Sequence, residues 1–300
     1  MLQTVLLAIM DGVAQASVSF MVAVGLSLVF GIMRILNIAH GSLYALGGYT
    51  AAAVGLWFSA TWGDGPWLYL VLVLSALAIG VPLGAVIERV LLRRIYGKEH
   101  TLQLLITFGI FMMLEDAQKL IFGVEPYFND APLAMLGVIE VGGIYYTAYQ
   151  LLVLPLAAVT TMLALAWFFN RTRKGKLITA VIEDFEMASV MGVNARSVYF
   201  WTFVLGATLA ALGGALSSPV TSLVPGTGAG TIVLSFAIVA SAGLGHFQGA
   251  AVTALLISLA QAFSVHFYSS IAAVMPYLVM TLILIVKPYG LFGKPEVRRI

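Results

Sequence analysis

LYLVLVLSALAIGVPLGAVI, residues 68–87, is apolar on every face. A surface helix keeps a polar stripe, and a half-buried strand alternates polar with apolar positions. This run does neither, and its length matches the roughly 20 residues that a helix needs to cross a bilayer. Comparable apolar stretches lie at about 4–31, 40–60, 67–88, 102–122, 148–169, 198–222, 231–246, 249–267 and 270–287. A transmembrane β-barrel would need alternating strands of about ten residues with a polar lumen face. The expected class is therefore all-α, a polytopic membrane protein. Composition agrees: of 300 residues, 61% are hydrophobic and 9% charged, against about 25% charged in a soluble domain. A soluble enzyme, a disordered chain and a coiled coil are excluded. Without cysteine, disulfides, thiolate metal sites and thiol nucleophiles are excluded as well. The opening MLQTVLLAIMDG lacks a basic n-region and its apolar run continues to about Phe30, so it reads as a first span and not as a cleaved signal.

The few charges are segregated. Arg89, Arg93, Arg94 and Lys98 form one basic cluster; Arg171, Arg173, Lys174, Lys176 and Arg196 a second; Lys287, Lys294, Arg298 and Arg299 the tail. Only Arg34 and Lys119 lie elsewhere. The loop at 123–147 carries Glu125, Asp130 and Glu140 without a basic residue, and the loop at 61–66 carries Asp64. The positive-inside rule makes the basic clusters and the C-terminus cytoplasmic and the acidic loops external. Parity then gives nine spans with an external N-terminus, or eight if one of the first two stretches is re-entrant.

Catalytic signatures are missing. There is no G-x-x-x-x-G-K-[ST], no H-E-x-x-H and no G-x-S-x-G. The four histidines are not at metal-ligand spacing on one helix. Ion-coupled carriers keep ionisable groups at membrane depth, yet Asp11 is the only acidic residue well inside an apolar stretch. Any solute movement is thus expected to draw its energy from another subunit, with a stand-alone channel or ion-coupled carrier as the alternative. Small residues at four-residue spacing (Gly206, Ala210 and Gly214; Gly80 and Gly84; Gly245 and Gly249) read as helix-packing faces. TSLVPGTGAG (221–230) breaks the helical pattern and reads as an external turn or gate loop.

The segment NRTRKGKLITAVIEDFEMASVMGVNARSVYF (170–200) is the most informative. Residues 179–191 read as one short helix stopped by Gly192. Within it, Glu186, Ala188 and Gly192 have the spacing E-x-A-x-x-x-G, similar to the E-A-A-x-x-x-G loop by which ABC importer permeases dock into a cleft on their ATPases. GIMRILNIAHGSLYALGGY (31–49) resembles the N-terminal signature of the LivH-type permease of branched-chain amino-acid ABC importers. EDFEMASVMGVN (183–194), TFVLGATLAALGGAL (202–216) and KPYGLFGKPEV (287–297) resemble three further segments of that family, in the same order.

The resemblance implies a single transmembrane permease domain over 1–300 with eight or nine helices, some broken or re-entrant, and a cytoplasmic coupling loop at 170–197. It implies a bacterial inner-membrane protein with no catalytic residue, metal or cofactor of its own. Expected partners are a related, non-identical permease, two cytoplasmic ATPases carrying ATP and Mg, an external solute-binding protein and the bilayer; nucleic acid is not among them. Expected coupling residues are Glu183, Asp184, Glu186, Ala188 and Gly192. Pathway candidates are Asn37, His40, Ser42 and Tyr44 after the first span, with His246 and Gln261 further on; the bland alternative is that Asn37 and His40 only hold the break in shape. Two departures bear on the solute. Branched-chain carriers commonly have Glu after the His-Gly pair, where this chain has Ser42, and their Gly-Gly-x-Gly-Ser loop appears here as Ala242–His246. A lost carboxylate at position 42 points away from ammonium-bearing solutes, towards a carboxylate or amide with an apolar body.

Overall fold

The computed structural model describes residues 1–293; the tail residues Lys294, Arg298 and Arg299 lie outside the described residues, as do the side chains of Glu183, Phe185 and Glu186. The helices are α1 (Leu2–Met33), α2 (His40–Trp62), α3 (Trp67–Val86), α4 (His100–Phe122), the short α5 (Ala131–Ala134), α6 (Leu154–Arg171), α7 (Arg173–Glu183), α8 (Phe185–Val190), α9 (Ala195–Ser217), α10 (Thr227–Ala242), α11 (Phe247–Phe267) and α12 (Met275–Val286). Each of the nine apolar stretches coincides with a helix. Among the described residues, five helices are long and apolar enough to cross a membrane: Leu2–Met33, Trp67–Arg94, Tyr149–Arg171, Ala195–Ser217 and Phe247–Phe267; Thr227–Ala242 and Met275–Val286 are shorter apolar helices. In hydrocarbon a helix satisfies its own backbone groups, so these sequences have little alternative.

The core is built on α1 and α9, the most buried of the long helices. They run antiparallel, with Gly25 against Gly206 and Val22 against Gly213. α11 is also antiparallel to α1: Asp11 meets His266, Gln15 meets Gln261 and Gly31 meets Gly245. α3 crosses α9 where Gly80 lies on Thr208 and Gly84 on Val204 and Ala207. Without side-chain bulk the backbones approach closely, and dispersion contacts replace a hydrophobic drive that lipid cannot supply. The apolar outer faces of α3, α4, α6 and α12, including Leu70, Leu105, Met113, Leu163 and Ile285, remain exposed. In water such faces would aggregate; in a bilayer they are solvated.

Two helices start inside the molecule. α1 ends at Arg34, a left-handed cap (φ 52°) whose N–H reaches Phe30 O at 2.8 Å. The next helix begins at His40, whose Nε2 donates to Val22 O at 3.0 Å. Val22 lies about 16 Å before the end of α1, so residues 34–39 turn back into the bundle before α2 sets out. Likewise α9 ends at Ser217, and α10 begins at Thr227 beside Gly41: a Cβ on Gly228 would sit 2.8 Å from Gly41 O. The first turns of α2 and α10 thus abut.

Three local findings depart from expectation. Val138–Val141 and Ile144–Thr147 form an antiparallel hairpin, so the all-α class carries one small strand pair. Gly142 (φ 61°) and Gly143 (φ 79°) make its turn, the tight geometry that Gly-Gly permits and most residues resist. Residues 179–191 are two helices, not one. They break at Asp184 (φ −151°, ψ 97°), whose Oδ1 accepts from Met187 N at 2.9 Å and caps α8. Gly245 does not share a helix face with Gly249, since α11 starts at Phe247 and Gly245 has φ 84° in the loop before it.

The tail motif has a structural reason. Leu291 N and Phe292 N donate to Ser241 O and Ala242 O, at 2.8 and 3.0 Å. These are carbonyls at the end of α10 that no helical turn can satisfy. Gly290 and Gly293 lie against Gly243 too closely for side chains. The segments 242–246 and 287–293 therefore match each other as a pair.

Candidate translocation site

A cavity of about 320 Å³ with mixed polar and apolar walls opens between α1, α2, α10 and the turn before α6, at the small end of the range for small-molecule sites. Asp11, Gln15 and Ser19 project into it from successive turns of α1. Tyr44 comes from α2, Gln150 from the entry to α6, Ser217 and Thr221 from the end of α9, and Thr231 and Ser235 from α10. Leu154, Val18, Val22, Val220 and Leu234 supply apolar wall. A small amphipathic solute would find hydroxyl, amide and carboxylate partners beside hydrocarbon surface.

Asp11 sits in the most connected position. Its Oδ2 lies 2.8 Å from His266 Nε2 on α11, and Tyr146 OH of the hairpin donates to its Oδ1 at 2.7 Å. Burial, with the adjacent Asp11 carboxylate, holds the Tyr146 phenol well above the ordinary range, so Tyr146 stays a donor. The hairpin is thereby tied to α1 and α11 at one end of the cavity. Gln15 Nε2 donates to Gln261 Oε1 at 2.8 Å, and Tyr44 OH is 2.8 Å from Ser217 Oγ.

Among the pathway candidates from sequence, Tyr44 alone lines this cavity. Gln261 touches the wall residue Gln15. Ser42 is buried on the other side of α2, where its Oγ donates to Phe111 O at 3.2 Å and its own carbonyl accepts from Gln118. His40 anchors α2 to α1. Asn37 is fully buried with neither side-chain amide atom paired, and His246 stacks on Phe292 with ring centroids 5.7 Å apart and Nδ1 unpaired. Ser19, Gln150, Ser217, Thr221, Thr231 and Ser235 were not legible as site residues; isolated polar residues in apolar helices carry no mark of which face they occupy. Asp11 did stand out, as the lone acid in its stretch.

A second candidate region is the loop at 170–197. Thr172 Oγ1 accepts from Gly175 N at 3.0 Å and starts α7. Asp184 caps α8, Ala188 is buried beneath it, and Gly192 (φ 84°) reverses the chain so that Val193 N reaches Ala188 O at 3.0 Å. A β-branched residue resists that conformation. Asn194 then caps α9 through Ser197 N at 3.3 Å. Met187, Val190 and Met191 are left exposed around the turn, an apolar knob suited to a protein partner. Glu183 and Glu186, two of the expected coupling residues, have side chains outside the described residues. Among the described residues no cluster of three potential metal ligands occurs.

Apolar helices packed through glycines, an amphipathic cavity within them and a structured loop between helices fit a multi-pass membrane transport protein. Residues 8–286 match the family described as branched-chain amino acid transport system, permease component, and the chain belongs to it. It is 27% identical over 298 residues to the high-affinity branched-chain amino acid transport system permease protein BraD of Pseudomonas aeruginosa, covering 97% of each. It is 28% identical over 298 residues to the LivH permease proteins of Salmonella typhimurium and Escherichia coli, covering 97% of this chain and 96% of each relative. The chain is thus a transport subunit and not an enzyme.

Proposed function

We propose that this chain forms half of the translocation pathway of an ATP-driven importer for a small amino-acid-like solute. An external binding protein delivers the solute to the Asp11–Tyr44 cavity, a second, related permease supplies the other half, and two ATPases with ATP and Mg engage the α7–α8 loop. The charge pattern, with Asp11 near the N-terminus tied to Tyr146 of the acidic loop, supports nine passes: the N-terminus and hairpin are external, the α7–α8 loop and the C-terminus are cytoplasmic, and α2 and α10 are passes that follow re-entrant segments. Asp184, Ala188 and Gly192 shape the coupling turn, with Glu183 and Glu186 offering charge to the ATPase. His40 and Ser42 act at one remove from the route, by tying the start of α2 to α1 and α4, and His246 by seating the tail, while Asn37 keeps its unpaired amide beside them.

The observation that carries the reading is the cavity with a carboxylate on its wall. Position 42 lacks the acid common in branched-chain carriers, yet Asp11 supplies one where a solute ammonium group can reach it, so the solute we favour is zwitterionic with an apolar side chain. The test is binding of branched-chain amino acids and of amide and carboxylate analogues to the cognate binding protein, followed by uptake with Asp11→Asn. A charged hydrogen bond contributes about 1.5–3 kcal/mol, so uptake of ammonium-bearing solutes should fall roughly 10- to 100-fold with the subunit still inserted. Unchanged amino-acid uptake, or exclusive binding of solutes without an ammonium group, refutes it.

A further inference from the structure

A cavity larger than the Asp11–Tyr44 one lies away from it. A groove of about 720 Å³ runs along α9 from Leu209 to Ser197, walled by Val81 of α3, Phe168 of α6 and Leu177 of α7. Its surface is overwhelmingly apolar. At its lower end it shares Asn194, Ser197 and Trp201 with a second cavity of about 220 Å³, which Arg89, Arg93 and Arg196 line together with Glu88. An apolar slot therefore leads directly into a cationic basin. Lys174 stands at the junction, its Nζ 5.0 Å from the centre of the Trp201 ring, and Arg89 lies 4.5 Å from the Phe200 ring. The one carboxylate present, Glu88, is buried and accepts from Tyr96 OH at 2.7 Å, leaving the basin net positive. Arg196 and Ser197 are in the first turn of the 23-residue α9, where the helix dipole adds positive potential.

From this juxtaposition we propose that the groove is a binding site for an anionic phospholipid of the cytoplasmic leaflet. Its phosphate sits among Lys174, Arg89, Arg93 and Arg196, and one acyl chain lies along Val204, Leu205 and Thr208. Charge complementarity selects this occupant. A zwitterionic lipid brings the same phosphate but also an ammonium group that these cations repel, and an apolar protein segment gains nothing from them. Met191 and Gly192 of the coupling turn form part of the groove wall, so an occupying lipid braces the turn that faces the ATPase. The proposal rests on the cytoplasmic placement of the loop given above, and on no claim about the solute.

The test is native mass spectrometry of the purified importer, equilibrated with equal phosphatidylglycerol and phosphatidylcholine, together with p-benzoylphenylalanine placed at position 205 in membranes. Phosphatidylglycerol should be retained preferentially. Basic side chains near a membrane surface each contribute about 1 kcal/mol towards anionic lipid, about fivefold, so Lys174→Gln with Arg196→Gln should reduce that preference roughly 25-fold. Leu177→Trp, at an exposed position of the groove wall, should displace the lipid while leaving the cations intact. The crosslinker should capture lipid. Equal retention of both lipids, a preference unchanged by the double substitution, or crosslinking at 205 to another subunit overturns the proposal. A separate labelling arm at Arg173→Cys distinguishes the two ways to fail: reaction from outside intact cells places the basin in the outer leaflet and overturns the proposal through its orientation, whereas protection there with any of the results above overturns it at the groove itself.

Discussion

Gly214→Ala is expected to weaken the bundle measurably although it adds a single methyl group. At the α2–α9 crossing, a Cβ on Gly214 would fall onto Tyr44 O, 2.8 Å from Tyr44 C and 2.9 Å from Gly48 N. Ordinary contact begins near 3.4 Å, so the two backbones must part by at least about 0.6 Å on the carbon contact alone. Overpacking a tight site costs about 1–3 kcal/mol, and loss of the nearby Tyr44–Ser217 hydrogen bond adds about 1 kcal/mol. Alanine returns up to about 1 kcal/mol of helix propensity, for a net loss of about 1–3 kcal/mol. For a chain of this size that lowers the apparent Tm by about 2–5 °C. The control is Gly109→Ala in α4, where a Cβ meets nothing within 4 Å; it gains the same propensity without the clash and should hold or raise Tm. Heating the detergent-solubilised chain and measuring the monodisperse fraction by size-exclusion chromatography gives both values. Equal Tm for the two variants would refute the view that glycine-mediated backbone contact holds this crossing.

Other outcomes follow from the same geometry. Gly192→Val forces a β-branched residue to φ 84° with no neighbour to blame; the strain of about 1–3 kcal/mol should distort the turn, so that the subunit inserts normally but no longer retains the ATPases on co-purification. On this cysteine-free background, Asp130→Cys should react with an impermeant thiol reagent in intact cells and Arg173→Cys should not. The reverse pattern would invert the assigned topology.

The helical membrane fold was legible because lipid leaves one simple solution for apolar runs such as 68–87 and 249–267. The hairpin was legible in principle: Gly142-Gly143 between two short β-prone runs is a hairpin signal. Asp184 hid the break between α7 and α8. An acid in an amphipathic stretch looks like a solvated helix position, and only its backbone angles reveal it as a cap. The site was less readable still. The motif residues Asn37, His40 and Ser42 are memorable in sequence, yet they lie at or just before the start of α2 and outside the cavity, which is lined by scattered residues such as Gln15, Thr231 and Ser235. Which face of α1 or α10 is inward depends on how α9 packs, and that information lies in tertiary contacts spread across the chain.

The central claim is that solute passes through the Asp11–Tyr44 cavity under ATPase drive. Thr221 is exposed and lines that cavity, so Thr221→Cys places a single thiol at its wall. The importer, assembled with its partner permease, ATPases and binding protein in proteoliposomes, should show ATP-dependent uptake with this substitution. Uptake should be abolished by a bulky methanethiosulfonate and restored when a reductant removes it. Full uptake by the quantitatively labelled chain would contradict the account.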